Sequence, residues 1–111
     1  MDPQAWHDLA PDEIVTEEPT GFDAYGAPTG YRTPQRWRAR IVGKMRAVRD
    51  ASGQERTSSV QALVLDRDAA TLTVRHRYTL PARYAPRQPS PLAVSVVTDE
   101  SGPHHVVVWF A

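Results

Sequence analysis

The sequence predicts an all-β domain, a small antiparallel β-barrel or sandwich of about six strands with long loops and an extended acidic N-terminal arm. Three observations carry that expectation. Residues 36–48 alternate apolar Trp37, Ala39, Ile41, Met45 and Ala47 with cationic Arg36, Arg38, Arg40, Lys44 and Arg46, the period-2 pattern of a strand with one oily and one basic side. The chain holds ten prolines, and turn-forming clusters recur at 50–54, 66–70 and 99–103. Few segments show sustained helical periodicity, so the elements are short strands joined by hairpin turns.

In chain order, Ala5–Leu9 reads as a short helical turn with Pro3 near its start, ended by Pro11. Residues 13–17, Glu-Ile-Val-Thr-Glu, are a strand candidate with an apolar centre and acidic flanks. Residues 19–33 read as a loop with three glycines and two prolines, long enough that it should pack on something. The strand 36–48 follows, about 40 Å long at ~3.3 Å per residue. Asp50–Gln54 is a hairpin turn with Gly53 suited to positive φ. The return strand, 57–65, sets Val60, Ala62 and Val64 on one side. After a turn at 66–70, residues 71–75 read as a strand continuing through 76–80. Pro81–Pro91 is a proline-rich loop, 92–98 a strand, 99–103 a turn, and 104–110 the last strand. That strand carries Val106, Val108 and Phe110 on one face and Val107 and Trp109 on the other, as expected of a strand inside a sheet or assembly.

A length of 111 residues suits one domain with one modest core, divided into an acidic arm and loop at 1–31 and a β-barrel body at 32–111. Net charge is zero, yet residues 1–31 hold seven acids and no Lys or Arg. The remainder holds all thirteen Lys and Arg and six acids, 13 − 6 = +7. Such asymmetry implies charge-complementary contact, within the chain or between copies of it. No apolar run is long enough for a transmembrane helix, so no membrane partner is expected, and the acidic start Met1-Asp2-Pro3-Gln4 is unlike a signal peptide. The absence of cysteine excludes disulfides, thiolate metal sites and a Cys nucleophile and is consistent with folding in a reducing compartment.

No catalytic constellation emerges. The sequence lacks the zinc-protease HExxH, a nucleophile elbow, a P-loop and a dinucleotide glycine fingerprint, so no enzyme, cofactor or metal site is expected. His104 and His105 are conspicuous, but neighbours on a regular strand point to opposite faces and should not ligate one metal. Asp66, Asp68 and Asp99 stand where turns use Asp to bond the backbone. The arginine face of 36–48 is suited to tracking phosphates. A single-strand-binding surface would also display aromatics for stacking, and Trp37 lies on the opposite side. A nucleic-acid-binding barrel module therefore stands as an alternative function.

The ordered set of motifs resembles a known family. Thr20-Gly-Phe-Asp-Ala-Tyr-Gly-Ala-Pro-Thr29 precedes the basic strand, and Asp50-Ala-Ser-Gly-Gln-Glu-Arg-Thr-Ser-Ser59 follows it. Then come His76-Arg-Tyr-Thr-Leu-Pro81, with His76 where the pattern has Asp, Leu92-Ala-Val94, Thr98-Asp-Glu-Ser-Gly102 and His104-His-Val-Val-Val108. Over residues 20–110 this resembles the head-completion proteins of long-tailed bacteriophages, also called minor capsid, head-closure or head-to-tail stopper proteins. The resemblance implies a small β-barrel in a homo-oligomeric ring, of six or twelve copies, in the neck of the virion after assembly in the host cytoplasm. Such a ring closes the DNA-filled head below the portal and its adaptor, contacts packaged DNA non-specifically and docks the tail or tail-terminator protein; a tail terminator or another connector ring is the nearest alternative. A ring needs two different complementary faces. Asp12, Glu13, Glu17 and Glu18 are the candidates for one, and Arg36, Arg38, Arg40, Lys44 and Arg46 for the other. The stiff 81–91 loop, with Pro81, Arg83, Tyr84 and Arg87, is the candidate channel or docking element.

Overall fold

A computed structural model describes residues 10–111, so the helical turn expected at Ala5–Leu9 lies outside the described residues. The strands are β1 (Asp12–Glu17), β2 (Pro19–Phe22), β3 (Pro28–Tyr31), β4 (Gln35–Arg49), β5 (Glu55–Val64), β6 (Arg77–Thr79), β7 (Pro91–Asp99) and β8 (Gly102–Phe110). Six of them form one antiparallel sheet in the order β6-β1-β4-β5-β8-β7, and β2 and β3 form a separate two-stranded ribbon. β8 lies between β5 and β7, the interior position expected from its two apolar faces. The acidic N-terminal segment is only partly an arm, because β1 is hydrogen-bonded between β4 and β6 within the sheet.

The sheet curls into a half-barrel. Tyr78 on edge strand β6 and Phe110 on β8 stack edge to face with ring centroids 5.3 Å apart. Four strand spacings of about 4.8 Å would hold them ~19 Å apart in a flat sheet, so the two ends of the sheet roll toward each other. The concave face collects Ile14, Trp37, Ala39, Ala62, Val64, Tyr78, Val106, Val108 and Phe110 into the core, each from the alternate positions that face inward. Alanines at 39 and 62 in the central strands leave room for Trp37, Tyr78 and Phe110. Among the described residues the Trp109 indole nitrogen is buried without a partner, but other buried polar atoms are matched: the Trp37 indole N–H donates to Thr16 Oγ1 at 2.8 Å, and the Tyr78 hydroxyl donates to the Thr73 carbonyl at 2.8 Å. Ser58 Oγ donates to the Phe110 carbonyl at 2.8 Å.

β4 does not keep its alternation to the end. Gly43 pairs with Val60, and the next registered pair is Arg46 with Ser58, so β4 carries one extra residue there. A bulge of this kind reverses which residues face which side. Up to Gly43 the odd residues face the core; beyond it Arg46 and Val48 take the core-facing side, and Ala47 joins the outer one. The expectation of five cations on one face is therefore corrected: Arg36, Arg38 and Arg40 share the outer face, while Arg46 points to the other. Met45, expected on the oily side, is 75% exposed.

Two further expectations are corrected. The loop expected at 19–33 contains the β2–β3 ribbon, closed by Asp23, whose Oδ1 accepts from the N–H groups of Tyr25 and Ala27, and by Gly26 at φ 83°. It packs through Arg75 over Phe22 and Arg77 over Tyr31, the latter 3.9 Å from guanidinium carbon to ring centroid. The strand expected from residue 71 is absent. A 3-10 turn occupies Arg67–Thr71, capped by Asp66 accepting from the Asp68 N–H, and β6 is only three residues long. The apolar residues Ala69, Leu72 and, more weakly, Val74 look strand-like in the sequence, but an Asp cap bonding its own backbone favours the turn.

Candidate functional site

The four acids of the expected interface are each engaged inside the chain. Glu17 makes a two-pronged pair with Arg77 at 2.8 and 2.9 Å, which raises the arginine's pKa further. Glu13 meets Arg36 at 2.7 Å, Glu18 approaches Arg32 at 3.6 Å, and Asp12 pairs with Arg83. The acidic segment thus neutralises arginines of its own subunit, and only one of those, Arg36, belongs to the basic strand. Arg38, Arg40, Lys44 and Arg46 have no carboxylate within ion-pair distance among the described residues.

The proline-rich loop is tied down by the same logic. The Leu80 N–H donates to the Arg87 carbonyl at 2.7 Å, the Tyr84 N–H to the Pro81 carbonyl at 3.0 Å, and Arg87 Nε returns a bond to the Leu80 carbonyl at 3.1 Å. Tyr84 packs against the core. Arg83 is held by Asp12 and lies over the Tyr84 ring. The loop and β1 together wall a groove of about 360 Å3 in which Asp12, Glu13, Arg36, Arg83 and Arg87 converge. Expected docking-loop and interface residues therefore meet at one place, but as internal ion pairs. The partners Arg32 and Arg77 escaped the sequence reading; cross-strand pairing of β1 with β6 would have pointed to Arg77 had β6 been bounded correctly.

The ends of β5 carry opposite charge. At its start the β4–β5 hairpin runs past β1 and β8, whose pairing stops at Ala39 and Val60, and carries Lys44, Arg46, Arg49 and Arg56 against Asp50 and Glu55. At its end the Arg67–Thr71 turn meets the β7–β8 turn, with Arg67 Nη2 3.4 Å from Ser101 Oγ. Asp66 and Asp68 lie on the first of these turns and Asp99 and Glu100 on the second, with Arg67 close enough to Asp99 to favour its ionised form. About 30 Å separates the two ends of a ten-residue strand.

His76 lines a polar cavity of about 80 Å3 with Thr16, Glu18, Arg32 and Gln35, room for two or three waters at ~30 Å3 each. Its Nδ1 accepts from the Thr73 N–H at 3.1 Å, which requires the neutral ring. Burial lowers its pKa, opposed by the nearby Glu18 charge. The expectation that His104 and His105 diverge is corrected. Their Nδ1 atoms lie 3.0 Å apart with the rings nearly perpendicular, at 83°. The β7–β8 pairing is irregular just there, between Val97 and Thr98, and Gly102 takes φ 110°, so the regular strand geometry behind the expectation does not hold. No group of three or more His, Asp or Glu side chains suited to a metal ion occurs among the described residues. None of their helices is long and apolar enough to cross a membrane. No protein-family model matches this chain, and no curated protein matches it.

Proposed function

We propose that this chain is a non-enzymatic ring subunit of the head-to-tail connector of a tailed bacteriophage, closing the filled head below the portal and adaptor and docking the tail. The ordered motifs over residues 20–110 motivate the class. The observation that carries the assembly role is the polarity of the molecule: a projecting hairpin rich in cations at one end of β5 and an acidic pair of turns at the other. Complementary, non-identical ends are what a heterologous contact needs, and such contacts close into a ring where the rotation between subunits closes. This moves the acidic partner of the contact away from Asp12, Glu13, Glu17 and Glu18, which are consumed internally, toward Asp66, Asp68, Asp99 and Glu100.

The test is a charge reversal at two hairpin cations that have no carboxylate within ion-pair distance among the described residues, Lys44→Glu with Arg46→Glu. Both side chains are exposed, so the double variant should lose no more than about 1 kcal/mol of stability. Its thermal melt should stay near that of the parent, while ring formation by light scattering and tail joining in particle complementation are lost. Normal joined particles from the double variant would sink the interface role.

The cations without ion-pair partners among the described residues also support a second reading, a nucleic-acid-binding module. It predicts DNA affinity of the isolated chain that falls steeply between low and moderate salt. Absence of binding at low salt would dismiss it.

A further inference from the structure

We propose that His104 and His105 form a chelating site for a divalent transition metal of the copper and nickel type, at the β7–β8 turn. The two Nδ1 atoms are 3.0 Å apart. With metal–nitrogen bonds of about 2.0 Å, that separation subtends ~95° at a shared ion. This is the cis angle of a square-planar or octahedral ion; a tetrahedral ion would need nitrogens about 3.3 Å apart. Copper(II) and nickel(II) favour square-planar or tetragonal nitrogen sites, and copper binds tightest among the first-row divalent ions.

The backbone explains why two sequence neighbours converge. The pairing shift between Val97 and Thr98 and the left-handed Gly102 remove the strict alternation that would send the rings to opposite faces. Without metal, one imidazole donates its Nδ1–H to the other's Nδ1. On binding, that proton moves to the donor ring's own Nε2, both Nδ1 lone pairs coordinate, and each ring remains neutral with one N–H, so no net proton is released. His104 is exposed, so its ring can rotate to aim at the common point, and water completes the coordination. The Asp99 carboxylate is held ionised chiefly by Ser101, whose hydroxyl donates at 2.7 Å and whose N–H donates at 2.8 Å. The anion offsets the neighbouring Arg67 charge as a dication approaches. The site shares the β7–β8 turn with the acidic face of the proposed subunit contact, but its chemistry rests on the two histidines alone and is read on the isolated chain.

The experiment titrates the untagged full chain with copper(II) at neutral pH, by calorimetry and electron paramagnetic resonance. One copper per chain with two-nitrogen hyperfine structure is expected. His104→Ala and His105→Ala should each weaken that binding by on the order of tenfold or more, and His104→Gln with His105→Gln should abolish it with an unchanged circular dichroism spectrum. Nickel(II) should bind more weakly, and His76→Ala should leave the copper affinity unchanged. Retention of copper affinity in the double variant, or sensitivity to only one of the two histidines, would overturn the site.

Discussion

The two halves of the β4–β5 hairpin follow the same local chemistry and meet different fates. Below the bulge at Gly43, Trp37 and Ala39 on β4 face Ala62 and Val64 on β5 inside the half-barrel, flanked by β1 and β8. Above it no third strand pairs with either strand; Met45, Ala47, Thr57 and residues 51–54 are exposed, while Asp50, Ser52 and Arg56 face Val74 and Ser90–Leu92 across a groove. The lower half is held by burial. The upper half is held by its own ladder and by Asp50, whose Oδ1 accepts from the N–H groups of Ser52 and Gln54. An isolated two-stranded hairpin is marginal in water, so the upper half is the part of the molecule that stands to gain most from a partner.

Substitutions should separate the halves. Trp37→Ala should cost the most, about 3–5 kcal/mol by denaturant melts; a loss under 1 kcal/mol would mean that the lower half is not the core. Thr16→Val leaves the Trp37 indole N–H buried without its acceptor and should cost about 1–3 kcal/mol. In the upper half Gly53 has φ 87° with open space around it, so Gly53→Ala should cost only the strained backbone, about 1 kcal/mol, and show up as faster amide exchange confined to the hairpin. Met45→Ser should change stability by less than about 0.5 kcal/mol while weakening assembly, if the hairpin is a contact.

The halves also part on titration, with the smallest effect. His76 binds its proton less readily folded than unfolded, so its contribution is complete above the unfolded value of 6.5 and is lost as pH falls from there toward the lower folded value. The melting temperature should drop between pH 7 and pH 5, and His76→Ala should flatten that slope. The hairpin turn should survive the same change. Asp50 is held below its usual 3.8, chiefly by the Ser52 hydroxyl, so its turn is intact above that value and is lost only as pH falls through the lower folded pKa. The Gly53 amide resonance should therefore stay put at pH 5.

Much of this architecture is legible in the residues. The alternation in 36–43, the even residues Val60, Ala62 and Val64, and Gly53 in its turn specify the hairpin and its buried face, because period-2 patterning and positive φ act over a few residues. The β2–β3 ribbon was hidden because Gly21 and Gly30 carry no side chain to mark a face, and its pairing is irregular. The 3-10 turn after Asp66 was hidden because Thr71, Leu72, Thr73 and Val74 alternate as a strand would.

By itself the sequence determined an all-β chain, its turns, a long half-apolar strand and a charge asymmetry between its first 31 residues and the rest. Those properties live in spacing and composition. Only the tertiary structure decided which charges meet. It sends Asp12 across to Arg83 and Glu17 to Arg77, and it inserts one residue at Gly43 that turns Arg46 away from Arg36, Arg38 and Arg40. It also brings His104 and His105 together. The reason in each case is that sheet register, bulges and curl are set by long-range pairing, and one residue of slip reverses the face of every side chain beyond it.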